Sequence, residues 1–247
     1  LSPDLLVRLV NARAARDAAL ISVGGRQELG TFWERLVQPQ VFTMLLFRYG
    51  STERVGASTR PSDKIANGQC ILVRRDAYLA VGGHGAVRDK VAEDLMLAQT
   101  VFRSERRVAL VLGLDQLATR MYTSLGELIE GWRKNIYAAG GDVLPVGGLA
   151  GRILLPILLL APSVFLLLPV IVLIAGLTGL ADVSIAPPAV TMLVLMTGWS
   201  VIYAAFGVSP LFGVLYPLGS AVLLYIVVTA IVRGRRVSWK GRSYRAG

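Results

Sequence analysis

Residues 153–180 read ILLPILLLAPSVFLLLPVIVLIAGLTGL, and this stretch decides the class of fold because it contains no charged side chain. Two further apolar blocks follow at 185–206 and 210–232. Each block is long enough to cross a hydrocarbon layer of about 30 Å as a helix that rises about 1.5 Å per residue. Prolines inside the first block would kink a helix without stopping it from crossing. The sequence therefore predicts an all-α transmembrane region over residues 150–232.

Charged residues flank this region on both sides. Between Arg152 and Arg233 the one charged side chain is Asp182. The last residues, 233–247, then carry six positive charges and no acid. A basic run directly after an apolar span is typical of a cytoplasmic anchor against anionic lipid headgroups, and a nucleic-acid-binding arm is the alternative. We expect a basic cytoplasmic tail, a membrane bilayer as partner and no nucleic acid.

The charge pattern conflicts with a simple count of crossings. Three full crossings would put the tail on the face opposite the residues before Arg152, whereas the positive-inside rule puts both on the cytoplasmic side. One block must then be re-entrant or interfacial, or the first must fold as a hairpin, or the rule fails. We favour the charge signal, which predicts a multi-pass protein of the cell membrane with its polar domain in the cytoplasm.

Residues 1–145 alternate helical and strand patterns and predict an α/β domain. Residues 50–66 are polar and predict a mobile loop, and the glycines at 140–148 predict a hinge. The helix at 31–47 lies either in the membrane interface or buried under the domain, and we favour burial. Strands are predicted at 19–23, 70–73 and 107–112, with 116–122 as a neighbour of the last. Helices are predicted from 3 to 10, at 31–47, 75–80 and 92–102, and as an amphipathic interfacial helix at about 124–138.

An acidic pair, Glu93-Asp94, begins the helix predicted at 92–102 and follows a Gly82-Gly83 turn. Negative charge at a helix start is favourable in itself, so a bare Glu-Asp pair more often has only that structural role. The surrounding sequence changes this interpretation. Residues 67–102 read NGQCILVRRDAYLAVGGHGAVRDKVAEDLMLAQTVF, and residues 120–135 read RMYTSLGELIEGWRKN.

These two stretches resemble the acceptor half of a processive-type or lipid-modifying family 2 glycosyltransferase. The resemblance implies a partial GT-A-like domain over residues 1–145, a nucleotide-sugar donor and a lipid or glycan acceptor. It marks Asp94 as the general base, with Glu93 beside it. It also implies substrate-binding roles for the residues around the pair: Asn67, Gly68, Gly82, Gly83 and His84. A lone histidine in a glycine turn is nevertheless more often a structural hydrogen-bonding residue.

Trp132, Arg133 and Lys134 occupy the place where such enzymes carry a Gln-x-x-Arg-Trp motif, which this chain lacks. The departure favours the branch that glycosylates lipids such as carotenoid acids over processive synthesis. Trp132 would be an aromatic platform for the acceptor with cationic phosphate contacts beside it, or else an interfacial anchor. Arg120 would line the same cleft, or else pair with an acid.

The resemblance further implies a divalent metal, Mg²⁺ or Mn²⁺, held by an Asp-x-Asp motif. No such motif occurs in the chain. We therefore expect the metal ligands upstream of Leu1, and a chain that is inactive without them. The alternative class is a non-enzymatic membrane assembly or transport subunit whose α/β domain binds a partner. Cys70 is the single cysteine, which excludes an intrachain disulfide and a cysteine-based zinc cluster.

Overall fold

The computed structural model describes the backbone of residues 1–143, 148–233, 236–239 and 242–245, and the side chains of residues 1–136 and 154–233. The strands are β1 (Leu20–Gly24), β2 (Arg26–Gln27), β3 (Ile71–Val73), β4 (Val108–Leu112), β5 (Ala118–Thr119), β6 (Arg236–Trp239) and β7 (Arg242–Arg245). The helices are α1 (Leu5–Ala15), α2 (Phe32–Tyr49), α3 (Thr52–Ala57), α4 (Arg75–Ala80), α5 (Glu93–Arg103), α6 (Leu125–Val143), α7 (Gly148–Leu177), α8 (Ala186–Ala205) and α9 (Tyr216–Arg233). Of the tail predicted at 233–247, the structure describes the side chain of Arg233 and the backbone of residues 236–239 and 242–245.

A small mixed sheet forms the centre of the polar region. Its strand order is β3-β1-β4, with β1 antiparallel to β3 and parallel to β4. Leu20, Ile21 and Val23 of β1 are buried, as expected for a central strand covered on both faces. The three main strands lie where the sequence predicts them. The expected neighbour of β4 is wrong, because β5 pairs in parallel with β2 instead.

The architecture is helix-rich, with this small sheet in the first half and three long apolar helices in the second. That confirms the two-part organisation at a coarse level. Helix α1 begins at Leu5, two residues later than predicted. Helix α6 continues through Gly140 and Gly141 to Val143, so the predicted hinge is wrong at these two glycines. Residues 144–147, where the rest of that hinge would lie, are outside the described residues.

Helix α2 connects the two halves. It begins with a capping box in which the Thr31 hydroxyl accepts from the Glu34 N–H and the Glu34 carboxylate accepts from the Thr31 N–H. Its buried face packs against α6, α8 and α9. The predicted burial is therefore confirmed, although the covering elements include the apolar helices and not the domain alone.

Residues 50–66 contain regular structure, so the prediction of a loop without it is wrong. Helix α3 is capped at its start by the Ser51 hydroxyl, and Pro61–Asp63 form a turn of 3-10 helix. The ammonium of Lys64 is buried and donates to the carbonyls of Val55 at 2.7 Å and Gly56 at 2.9 Å. These bonds satisfy carbonyls at the end of α3 that have no partner in the helix.

Three helical segments of the described chain are long and apolar enough to span a membrane: Leu154–Leu177, Ala186–Ala205 and Pro210–Arg233. They agree with the three blocks in the sequence. The segment Pro210–Leu215 folds back on α8, so that a Cβ added at Gly213 would lie 2.1 Å from the Ser200 Oγ. Of the three helices, α9 is the most enclosed, because it packs against α2, α6 and α7.

Candidate active site

Asp94 lies in the first turn of α5, and both of its carboxylate oxygens accept backbone hydrogen bonds. The Gly68 N–H donates to Oδ2 at 2.7 Å, and the Leu95 N–H donates to Oδ1 at 2.7 Å. A Cβ added at Gly68 would lie only 3.0 Å from Oδ2. Glycine at this position therefore allows the backbone of the Asn67-Gly68 turn to approach the carboxylate closely.

Burial raises the pKa of Asp94, and the charge of neighbouring Glu93 raises it further, although the hydrogen bonds from Leu95 and Gly68 act in the opposite direction. A raised pKa makes a carboxylate a better proton acceptor. Glu93 itself is exposed, so its carboxylate acts on Asp94 from the solvent side. The arrangement combines a positioned, half-buried carboxylate with an open approach beside Gly68.

Asn67 shapes the turn that presents Gly68. Its side-chain oxygen accepts from the Gln69 N–H at 3.2 Å, and its amide donates to the Gln69 Oε1 at 3.2 Å. The Asn67 N–H donates to the Ser22 hydroxyl at 2.7 Å, which fixes the turn to β1. Asn67 thus positions the turn through its backbone, and its side chain is bonded locally.

The Gly82-Gly83-His84 segment packs against the flank of α5. Gly82 has φ +76° and Gly83 has φ +54°, a region that favours glycine, and a Cβ at Gly83 would lie 2.5 Å from the Tyr78 ring. The Tyr78 hydroxyl accepts from the His84 N–H at 3.1 Å and lies 2.7 Å from the His84 Nδ1. The hydroxyl and Nδ1 share one hydrogen bond, whose direction depends on the tautomer of the ring. These bonds give His84 a structural part in the turn, and its substrate-binding role stays a prediction.

Arg120 pairs with Glu34 through two parallel hydrogen bonds of 3.0 Å. Burial by itself would raise the pKa of Glu34, but the bonds from Arg120 and Thr31 outweigh it and lower the pKa to about 2. The alternative that paired Arg120 with an acid is confirmed.

Trp132 is buried between α2 and α6. Its ring makes edge contacts with Phe42, at a centroid distance of 5.7 Å, and with Tyr122, at 6.0 Å. The Trp132 ring is buried in these contacts. An acceptor platform or an interfacial anchor would need an exposed ring face. Arg133 forms an ion pair with Glu130 on the same helix, and Lys134 is half-buried beside it. The sequence did not reveal this packing because Phe42 is far from Trp132 along the chain.

Sequence reasoning missed an ion pair at the end of α2. Arg48 donates to the Asp63 carboxylate at 3.0 Å and to the Ser62 carbonyl at 2.9 Å. Burial raises the pKa of the neighbouring Tyr49 to about 12, although the Arg48 charge acts in the opposite direction. No periodicity or motif in the sequence predicts that residues 48 and 63 pair.

A divalent metal needs several oxygen or nitrogen ligands at one point. Within the described residues, no group of three His, Cys, Asp or Glu side chains is placed to hold such an ion. The described residues therefore offer no ligand set for such an ion, and the Mg²⁺ or Mn²⁺ that the resemblance implies stays a prediction.

The fold and site together define a membrane-associated protein with a positioned acidic group at the edge of its polar region. Comparison with protein-family models gives the particular family: residues 41–247 match glycosyl transferase family 21. Because the match covers most of the chain, the chain belongs to this glycosyltransferase family. No curated protein and no solved structure matches the chain.

Family membership confirms the expectation of a sugar-transferring protein. The family that matches is number 21, and the match does not extend to the family 2 GT-A assignment or to a carotenoid-type acceptor. It begins at residue 41, inside α2, and includes Asp94, the turn at Gly68 and all three apolar helices.

Proposed function

We propose that this protein transfers a sugar, of the hexosyl type, from a nucleotide-sugar donor to a lipid or glycan acceptor held at the membrane, with Asp94 as the general base. The observation that carries the proposal is the Asp94 carboxylate, fixed by two backbone N–H groups and raised in pKa, inside a region that matches a glycosyltransferase family. Family membership favours this function over a non-enzymatic assembly or transport subunit.

In the proposed reaction, Asp94 takes the proton of the acceptor hydroxyl as that oxygen attacks the anomeric carbon of the sugar. The bond from this carbon to the phosphate oxygen breaks at the same time, and the nucleoside diphosphate leaves with the bonding electrons. Attack from the face opposite the leaving group inverts the anomeric configuration. Gly68 and Leu95 hold the carboxylate in place, and burial keeps its proton affinity high.

Membrane association supports an acceptor that resides in the bilayer. Helix α2 packs directly on α8 and α9, so an element that precedes the proposed catalytic group is in contact with the apolar helices. We place this polar region on the cytoplasmic face of the cell membrane, following the charge pattern.

Replacement of Asp94 by Asn tests the base. Asparagine keeps an oxygen that can accept from the Gly68 N–H but cannot take a proton, so turnover should fall by about 10²–10⁴-fold. The measurement is the formation of glycosylated membrane lipid by the complete enzyme in isolated membranes, followed by mass spectrometry. Near-normal turnover of the Asp94→Asn variant would remove Asp94 from the mechanism.

Glu93→Gln is the matched control. It removes one neighbouring charge from the exposed side of Asp94 and should reduce turnover less than Asp94→Asn. Since burial first and the Glu93 charge second raise the pKa of Asp94, the variant should move the acidic limb of the pH profile to lower pH. An unchanged acidic limb would mean that the limb reports another group.

A further inference from the structure

A depression of about 400 Å³ lies on the segment that follows α2. It is lined by Arg54, Ala57, Ser58, Thr59, Arg60 and Asp63. Two arginines, two hydroxyls and one carboxylate thus face one space. The ligand that such a lining favours depends on which of its charges are already neutralised.

The charge of Asp63 is already matched within the protein. Its Oδ1 accepts from Arg48 at 3.0 Å, and its Oδ2 accepts from the Ser58 hydroxyl at 2.8 Å. The pKa of Asp63 is lowered by the Ser58 bond first and by Arg48 as well, although burial acts in the opposite direction. The carboxylate therefore stays ionised and paired, and it does not repel an anion as a free carboxylate would.

Arg54 and Arg60 carry the positive charges of the lining, and the charge of Arg60 also acts on Asp63 and lowers its pKa. Within the described part of the chain, neither guanidinium makes a side-chain hydrogen bond or an ion pair shorter than 4.0 Å. The stem of Arg54 lies across Gly50, where an added Cβ would meet its Cδ at 2.7 Å. Gly50 also has φ +72°, a backbone conformation that favours glycine. The absence of a Cβ at this position leaves room for the Arg54 side chain. The depression has a net positive lining.

The segment that carries the two arginines is anchored. The buried Lys64 ammonium holds the end of α3, and it lies 4.5 Å from the centre of the Phe102 ring on α5. The turn Pro61–Asp63 also packs on α5, the helix that begins at Glu93.

We propose that this depression binds a phosphate-bearing ligand through Arg54 and Arg60, with the hydroxyl of Thr59 as a further donor. Guanidinium groups pair with phosphate oxygens in a bidentate manner, and hydroxyls donate single hydrogen bonds. The phosphate belongs either to the diphosphate of a soluble nucleotide donor or to the headgroup of an anionic phospholipid. The first source rests on the function proposed above, and the second does not.

Binding of two small probes to the full chain in detergent micelles tests the site. Inorganic pyrophosphate represents the donor diphosphate, and dihexanoyl phosphatidic acid, kept below its micelle concentration, represents the lipid headgroup. Calorimetric titration should detect binding of at least one probe. Arg54→Gln and Arg60→Gln should each weaken that binding about tenfold or more. Preference for pyrophosphate or for the lipid then identifies the source.

Arg8→Gln is the matched control, because it removes the same charge from an exposed position on α1. Its binding should equal that of the unmodified chain. The proposal is overturned if neither probe binds, or if Arg54→Gln and Arg60→Gln bind as tightly as Arg8→Gln. The Asp94→Asn variant separates this proposal from the proposed function. It should bind the probe normally whether or not it transfers sugar, so either proposal can fail without the other.

Discussion

At the scale of single residues, the contact between Gly68 and Asp94 is the most sensitive point of the proposed active site. Gly68→Ala puts a Cβ 3.0 Å from Oδ2, and the carboxylate must move by a few tenths of an ångström. We expect turnover to fall about tenfold, since small misplacements of a reacting group are costly. Gly85→Ala is the control, because a Cβ there meets nothing within 4 Å. Equal turnover of the two variants in the membrane assay would contradict the positioning role.

The Glu34–Arg120 pair predicts a pH dependence of stability. The pKa of Glu34 falls from its ordinary value of 4.5 to about 2 in the folded protein. A carboxyl group whose pKa is lower in the folded protein stabilises the fold at pH values above its pKa in the unfolded chain. This contribution is therefore present above about pH 4.5 and is lost as the pH falls toward 2. Arg120→Ala should remove this acid-sensitive contribution and flatten the pH dependence of the unfolding temperature.

The size of the stability loss depends on how deeply the Glu34–Arg120 pair is buried. Glu34 is buried while the Arg120 side chain is 39% exposed, so Arg120→Ala leaves a buried carboxylate without its partner and should lower the unfolding temperature at neutral pH. Arg74→Ala, which breaks the exposed Arg74–Asp76 pair, should lower it less. Thermal unfolding of both variants in one detergent, at pH 7 and pH 3, measures the difference. Equal losses in the two variants would refute the ranking.

At the scale of elements, the packing of α2 on α9 depends on Gly219. A Cβ at this position would lie 2.5 Å from the Gln40 Nε2 and 3.1 Å from the Leu36 carbonyl oxygen. Gly219→Leu should force the helices apart and destabilise the protein by about 1–3 kcal/mol. Gly198→Leu on α8 is the control, because its Cβ meets nothing within 4 Å. A thermal-unfolding loss no larger than that of the control would show that the contact tolerates extra volume.

Local patterns predicted some elements well and others poorly, for identifiable reasons. The strand at Leu20–Gly24 and the helix at Glu93–Arg103 are regular over enough residues for apolar spacing to locate them. Helix α3 is short and polar, and its end is stabilised by Lys64, which no periodicity reveals. In the same way, local spacing located Asp94 at a helix start but not the packing of Trp132 on the distant Phe42, because contacts between remote segments have no local signature.

At the scale of the whole molecule, α9 determines how the chain sits in the bilayer. Gln40 of α2 contacts Ser220 near its start, and Glu130 of α6 lies 3.9 Å from Arg233 at its end. Because α2 and α6 contact α9 near its two ends, we expect α9 to be the segment that does not cross. Such a helix would leave the basic tail on the same side as the proposed catalytic group, as the charges predict.

Thiol labelling in intact cells tests this topology in a Cys70→Ser background. Each basic residue drawn away from an anionic cytoplasmic surface loses about 1 kcal/mol, so the tail should remain inside. Gly140→Cys and Ser243→Cys should be shielded from a membrane-impermeant reagent, whereas Ser184→Cys, in the exposed connection after α7, should be labelled. Labelling of Ser243→Cys without permeabilisation would establish three full crossings.

The hydrogen bonds of Gln40 have a consequence for the order in which the protein matures. Gln40 bonds to Tyr203 and Ser220, which lie 163 and 180 residues later in the chain. At a synthesis rate of about 5–20 residues per second, roughly 10–35 s separate the emergence of α2 from that of these partners. During this interval, the amide of Gln40 has no access to the bonds that it makes in the finished protein. Helix α2 is completed only by helices made later, α8 and α9, so activity would be withheld until these helices are in place.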